Sequence, residues 1–160
     1  MISYIFAVLS AVVFLAVDQI TKKIVSTSFV LGESKEFLNG FIDFVYIHNR
    51  GGAWGIMQGK TWFLIAITAV MLTVCIWVLI KMGKNKLLFW AVSLILSGGI
   101  GNMIDRIFRD GNVVDFLHFE FFPTFPVFNI ADCAVVLGAG LLILYFVIDM
   151  VKEKQKNGKA

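Results

Sequence analysis

Four apolar runs dominate the chain, and each is long enough to cross a bilayer, which takes about 20 residues of α-helix. They cover roughly residues 3–24, 62–80, 87–107 and 129–150. Hydrophobic residues make up 59% of the 160-residue chain and charged residues 16%, whereas soluble domains carry about a quarter charged. A soluble domain of this length leaves too much of its chain at the surface to hide that apolar fraction. The sequence therefore predicts an α-helical membrane protein, a single integral domain over 1–160. No positively charged segment precedes the first run and no small-x-small site follows it, so it is expected to span rather than to be removed as a leader.

Four spans place both termini on one side. The turn Met82–Lys86 and the tail 151–160 share that side, and the longer segments 25–60 and 108–128 lie opposite. The 14 Lys and Arg residues divide evenly between the two sides, but short loops carry most weight in the positive-inside rule. The near side packs its lysines into very few residues, so the termini are expected in the cytoplasm and segments 25–60 and 108–128 outside it. The net charge of +3 comes largely from the tail and points to anionic lipid headgroups rather than to nucleic acid. Cys75 and Cys133 both lie in apolar runs with no CxxC partner and are expected as packing residues.

Between the first two spans, Phe41–Ile47 is rich in β-branched and aromatic residues, with Asn39-Gly40 before it and Asn49–Gly52 after it. That pattern predicts one or two strands in a small sheet at the membrane surface. Between the third and fourth spans, Phe116, Phe119, Phe121, Phe122 and Phe125 mark an aromatic-rich loop suited to the headgroup interface or to covering a site.

Ionisable groups beside hydrocarbon are functional candidates. Asp115 and Asp132 each close a short motif, Val113-Val114-Asp115-Phe116 and Phe128-Asn129-Ile130-Ala131-Asp132, both expected at helix ends. Two carboxylates held close cannot both ionise comfortably, so one keeps its proton. The ionised member can then take a proton from water and the protonated member can donate to a carbonyl oxygen, which amounts to amide hydrolysis without metal or covalent intermediate. Asp18 and Lys22 share a helix face at i, i+4 and read either as an interfacial anchor or as a substrate contact. Gly98, Asn102 and Arg106 form one helical stripe with Gly101 and Asp105 alongside, either for helix packing or as inward-facing donors. Asn129 is placed to cap the fourth helix or to orient Asp132. His48 and His118 stand in no metal-ligand spacing, and there is no GxSxG or phosphate-binding loop. No metal or other cofactor is expected.

Five stretches taken together resemble lipoprotein signal peptidase (signal peptidase II), the bacterial membrane-embedded aspartic protease family. They are Asp18–Lys22, Asn49–Gly55, Gly98–Arg106, Val113–Phe116 and Phe128–Asp132, and they occur in the family's order along nearly the whole chain. The resemblance implies that Asp115 and Asp132 are the catalytic pair and that Asp18, Lys22, Asn49, Gly51, Asn102, Arg106 and Asn129 line or brace the pocket. It implies that segment 25–60 forms a cradle for substrate. The substrates it implies are diacylglyceryl-modified prolipoproteins, cut just before the lipidated cysteine, in the bacterial cell membrane near its extracytoplasmic face. Membrane lipids and globomycin-type inhibitors are implied as further partners. Gly52, where alanine is commoner, and Cys133, where serine or alanine is commoner, depart from the pattern without replacing a carboxylate.

Two other classes compete. A small proton-coupled transporter subunit would also place carboxylates in the membrane, but no inverted repeat is visible. A magnesium-dependent phosphotransferase would want several carboxylates along one helix, which Asp105 and Asp110 do not supply.

Overall fold

The structure is a computed structural model and describes residues 1–157; the last three positions of the predicted tail, 158–160, lie outside the described residues. Four long apolar helices are present: α1 (Ile2–Ser28), α2 (Thr61–Met82), α3 (Lys86–Phe108) and α4 (Ile130–Asn157). At 27 and 28 residues, α1 and α4 reach about 40 Å at 1.5 Å per residue, more than the hydrocarbon thickness of about 30 Å. α1 continues past the expected end near Ile24 because Ser26 and Thr27 turn their hydroxyls onto the Lys23 carbonyl, at 3.0 and 2.9 Å. Those polar side chains are thereby satisfied inside the helix. α4 likewise runs beyond position 150, carrying its lysines into the polar phase.

Large apolar side chains such as Phe6, Val13, Ile67, Val74, Ile143 and Phe146 stand exposed on the outer faces of the helices. Water would not tolerate such a surface, whereas lipid does. Between helices there is little hydrophobic driving force in lipid, so association relies on close approach and on polar contacts. α3 meets both needs and packs against each of the other three helices. Its inward residues are small (Ala91, Ser93, Ser97, Gly98, Gly99 and Gly101 are all buried). Ser97 donates to the Ala11 carbonyl of α1 at 2.7 Å, and Trp90 Nε1 donates to Ser3 Oγ at 3.2 Å. On α4, a Cβ at Gly138 would lie 2.6 Å from the Ala91 carbonyl oxygen, so only glycine permits this α3–α4 crossing. Gly140, one position beyond Ala139 on the same helix, makes no such contact: nothing lies within 4 Å of its Cβ position.

The extramembrane part is one three-stranded antiparallel sheet in the order β1 (Ser34–Leu38), β2 (Ile42–Asn49), β3 (Val113–Phe119). The first two strands come from the expected surface sheet. The third comes from the connection expected to be an aromatic loop, which is a correction: Asp115 sits on a strand and not at a helix end. Strand alternation explains the choice. Val114 and Phe116 point to one face, where they form a buried cluster with Val25 of α1 and Tyr46 of β2. Val113 and Asp115 point to the other face. Leu117 of β3 and Phe128 exchange backbone hydrogen bonds at 2.8 and 2.9 Å, so the intervening aromatic turn closes on itself. The next residue, Asn129, is the N-cap of α4. This closure brings Asp115 and Asp132 to the same place.

Candidate active site

The C-terminal ends of α1 and α3, the N-terminal end of α4 and the strands β2 and β3 converge at the end of the bundle opposite the two chain termini. Between them lies a cavity of about 240 Å³. Asp115 and Asp132 both line it, together with Asn49, Asn102 and Arg106, and Trp54 and Phe125 contribute aromatic wall. The carboxylates are the acidic groups of an otherwise largely apolar recess.

Each carboxylate oxygen has a donor. Asp115 Oδ1 accepts from Asn129 Nδ2 at 2.6 Å and Oδ2 from Asn49 Nδ2 at 2.9 Å. Asp132 Oδ1 accepts from Asn102 Nδ2 at 2.8 Å and Oδ2 from the Asn129 backbone N–H at 3.1 Å. An amide could present either end to a carboxylate, so something must fix its direction. In all three asparagines the amide oxygen is already committed to a donor. Asn49 Oδ1 accepts from Gly51 N–H at 2.8 Å, Asn129 Oδ1 from Asp132 N–H at 3.0 Å, and Asn102 Oδ1 from Lys22 Nζ at 2.9 Å. Only the NH₂ ends remain for the aspartates.

The positions of these groups follow from local structure. Asn49, at the end of β2, pairs with Val113, and Asp115 pairs with Ile47, so Asn49 and Asp115 are diagonal neighbours on one face of the sheet. Asn102 and Arg106 project from α3 one turn apart, as the stripe predicted. Asp132 is the third residue of α4, where the positive end of the helix dipole favours an anion. Asp115 is nearly fully buried, and its carboxyl is pushed up to about 7, first by burial and then by the charge of Asp132. Arg106 ties the turn after β2 to α3: its Nη2 donates to the Gly51 carbonyl at 2.9 Å. Gly51 itself is packed against the Gly55 and Ile56 backbone, which leaves no room for a side chain.

Asp18 and Lys22 do not face outward as an interfacial anchor would. Both are fully buried, and Lys22 Nζ lies 3.0 Å from Asp18 and 3.0 Å from Asp105. Asp105, which the sequence places alongside the stripe without a role in the site, is fully buried in this network. An ionisable residue near the end of a membrane helix was the available signal. Trp54, Val135 and Val136 also line the cavity without having been anticipated. His48 pairs with the Tyr46 hydroxyl at 2.8 Å and does not line the cavity. Among the described residues no cluster of three or more His, Cys, Asp or Glu side chains is arranged to hold a metal.

Four bilayer-length helices with a cavity at one end of the bundle, holding two carboxylates bound by amides, define an integral membrane enzyme of the aspartic protease type. Residues 10–148 match the family described as signal peptidase (SPase) II. The chain is 42% identical over 149 residues to the lipoprotein signal peptidase of Bacillus pumilus, covering 92% of this chain and 96% of that one. It is 41% identical over 153 residues to the lipoprotein signal peptidase of Shouchella clausii, covering 94% and 99%. A bacterial membrane enzyme solved by the in meso method at 2.3 Å superposes with a TM-score of 0.86 at 37% identity, over 91% of this chain and 89% of that one. The chain belongs to the signal peptidase II family. That membership leaves the transporter alternative without support.

Proposed function

We propose that the chain removes signal peptides from diacylglyceryl-modified prolipoproteins by hydrolysing the bond before the lipidated cysteine, with Asp115 and Asp132 as the catalytic pair. The observation that carries this reading is the locked amide arrangement: two carboxylates face one cavity, and every oxygen is held by an N–H that cannot turn away. Family membership supports the reaction and the substrate class.

The two carboxylates divide the work. Asp115, buried and with its carboxyl raised to about 7, holds the proton. Asp132, in the first turn of α4, carries the charge. Asp132 takes a proton from water as the water oxygen attacks the scissile carbonyl carbon, and Asp115 gives its proton to the carbonyl oxygen. A neutral gem-diol results. Asp132 then passes its proton to the peptide nitrogen as the C–N bond breaks, and Asp115 recovers a proton from one gem-diol hydroxyl. The products are the signal peptide's carboxylic acid and the free amine of the lipidated cysteine, and the pair is back in its starting state. Asn49, Asn102 and Asn129 hold the carboxylates, Arg106 and Gly51 hold the turn carrying Asn49, and Asp18 and Lys22 brace from α1.

A diacylated substrate stays dissolved in lipid, so its scissile bond is delivered near the headgroup boundary. The cavity opens at the helix ends, at that depth, with the sheet over it as a cradle. The Lys-rich α2–α3 turn and C-terminal tail support a bacterial cell membrane location with both termini cytoplasmic and the cavity near the extracytoplasmic face. Globomycin-type inhibitors would occupy the same cavity, and membrane lipids would contact the apolar helix faces.

The test compares wild type, Asp115→Asn and Asp132→Asn on a diacylglyceryl-modified prolipoprotein, in detergent with EDTA present. Wild type is expected to release the signal peptide, and each variant to fall by about 10²- to 10⁴-fold with its thermal transition retained. Turnover by both variants at the wild-type rate would remove the pair from the mechanism.

A further inference from the structure

Lys22 is fully buried on a membrane-crossing helix, and all three of its acceptors are built into the site's frame. Two are the carboxylates Asp18 and Asp105, each at 3.0 Å, and the third is Asn102 Oδ1 at 2.9 Å. The two carboxylates have matching second duties. Asp18 Oδ1 accepts the backbone N–H of Ala131 at 2.8 Å, and Asp105 Oδ2 accepts the backbone N–H of Val114 at 3.1 Å. Ala131 and Val114 are the residues immediately before Asp132 and Asp115. The third acceptor, Asn102, holds Asp132 directly through its other end. One ammonium group therefore reaches each proposed catalytic aspartate by a route through a neighbouring backbone N–H, and reaches Asp132 by a second route through an amide.

We infer that Lys22 is the positioning residue of the Asp115–Asp132 pair, an inference that rests on the dyad reading above. Its ammonium holds Asp18 and Asp105 at one distance, and these in turn hold β3 and the first turn of α4 together from a third helix. Its N–H to Asn102 Oδ1 at 2.9 Å, the shorter of two donors on that oxygen beside Asn129 Nδ2 at 3.1 Å, keeps the Asn102 amide from turning. If that amide turned, its oxygen would face the Asp132 carboxylate, and two acceptors in contact repel. Close packing reinforces the link, because a Cβ at Gly101 would lie 2.7 Å from Asp18 Oδ2. Arg109 Nε, 3.1 Å from Asp105 Oδ1, is the other cation on the network, and its side chain reaches the surface. Lys22 touches neither the cavity nor any group assigned to proton transfer, so it acts through Asn102, Asp18 and Asp105.

A buried cation between two carboxylates would also be present if Lys22 served only to let the chain fold, and the test separates the two roles. Lys22→Met alone leaves two buried carboxylates short of a counter-ion, and the variant is liable to misfold. The double variant Lys22→Met/Asp105→Asn removes one positive and one negative charge, so the network keeps its net charge. Asn at 105 still offers an oxygen to the Val114 N–H, and Asp18 still accepts from Ala131. What is lost is the ammonium and its bond to Asn102. The full-length double variant is assayed on diacylglyceryl-modified prolipoprotein beside wild type, Asp115→Asn and Asp132→Asn, with thermal unfolding of each. The expected result is a folded double variant with kcat down about 10²-fold, the size expected for a misplacement of about 1 Å, and KM within about twofold of wild type. Wild-type kcat in the double variant would overturn the inference, because charge balance alone would then account for Lys22. Failure of the double variant to fold would overturn it as well, making Lys22 an element of folding. If Asp115→Asn and Asp132→Asn are themselves active, it is the dyad reading that falls.

Discussion

Asn129 and Asp132 close a reciprocal pair of hydrogen bonds at the start of α4. Asn129 Oδ1 accepts from the Asp132 N–H at 3.0 Å, and Asp132 Oδ2 accepts from the Asn129 N–H at 3.1 Å. With Asn129 as N-cap and Asp132 as third helical residue, this is a capping box, in which each side chain satisfies the other's backbone. The same pair serves the site, because the Asn129 amide spans from α4 to Asp115 at 2.6 Å. Helix start and carboxylate placement are therefore one structure. Asn129→Ala removes both functions and should lose about 1 kcal/mol of stability from the cap together with most activity. Asn129→Asp keeps a capping oxygen but sets a third carboxylate against Asp115. It should melt nearer wild type than the alanine variant and still be inactive. Thermal transitions beside signal-peptide release check this, and an active Asn129→Asp would sink it.

The Asp115 carboxyl gives the protein a definite response to pH. Its value is raised from 3.8 to about 7, chiefly by burial and next by Asp132. Across the interval between those values the folded state holds a proton that the unfolded chain has released. Stability must then fall as pH rises through that interval and level off above it. The proposed mechanism uses the protonated form, so the rate should decline as pH passes above about 7. In Asp115→Asn the contribution of this group to the stability slope vanishes. Thermal unfolding of both proteins from pH 4 to 8 decides the matter, and equal slopes would contradict the assignment.

Gly138 and Gly140 look alike in sequence and should behave differently. A Cβ at Gly138 would lie 2.6 Å from the Ala91 carbonyl and 2.8 Å from Ile95 Cγ1, whereas the Gly140 position is open. Gly138→Ala should force α3 and α4 apart at a cost of about 1–3 kcal/mol. Gly140→Ala should leave stability unchanged or slightly raised, since alanine is the better helix former. Unfolding in a fixed detergent distinguishes them; equal transitions would mean that this crossing is not a tight contact.

The spans were legible because bilayer thickness imposes a length that few other folds share. Asp115 and Asp132 were legible as carboxylates beside hydrocarbon, and the resemblance picked them from the others. The strand carrying Asp115 was not. In Val113–Phe119 apolar or aromatic residues stand on both faces, with Asp115 and His118 as the polar exceptions, because one face meets the core and the other a largely apolar cavity, so the usual polar alternation is absent. The Lys22 network was legible only as an i, i+4 pair. Its remaining members lie on α3, far along the chain, and no local pattern shows that two helices will meet there. The sequence does not tell Gly138 from Gly140, because a small residue permits a close contact without requiring one.

Arg106 and Gly51 provide the last prediction. Arg106 Nη2 donates to the Gly51 carbonyl at 2.9 Å, and Asn49 in the same turn accepts from the Gly51 N–H at 2.8 Å while donating to Asp115. The guanidinium thus fixes from α3 the turn that holds one side of the Asp115 carboxylate. Lysine carries the same charge but has a point-like head on a flexible stem, and it cannot reproduce a planar fork directed at a carbonyl. A hydrogen bond from a charged donor contributes about 1.5–3 kcal/mol, so Arg106→Lys should lose about 10- to 100-fold in kcat/KM. The thermal transition should move little, since the charge and most of the stem remain. Gly51→Ala should fail more broadly, because a Cβ there would sit 2.7 Å from the Ile56 carbonyl and displace the whole turn. Wild-type kcat/KM in Arg106→Lys would show that the turn holds its place without the fork, and that Asn49 reaches Asp115 unaided.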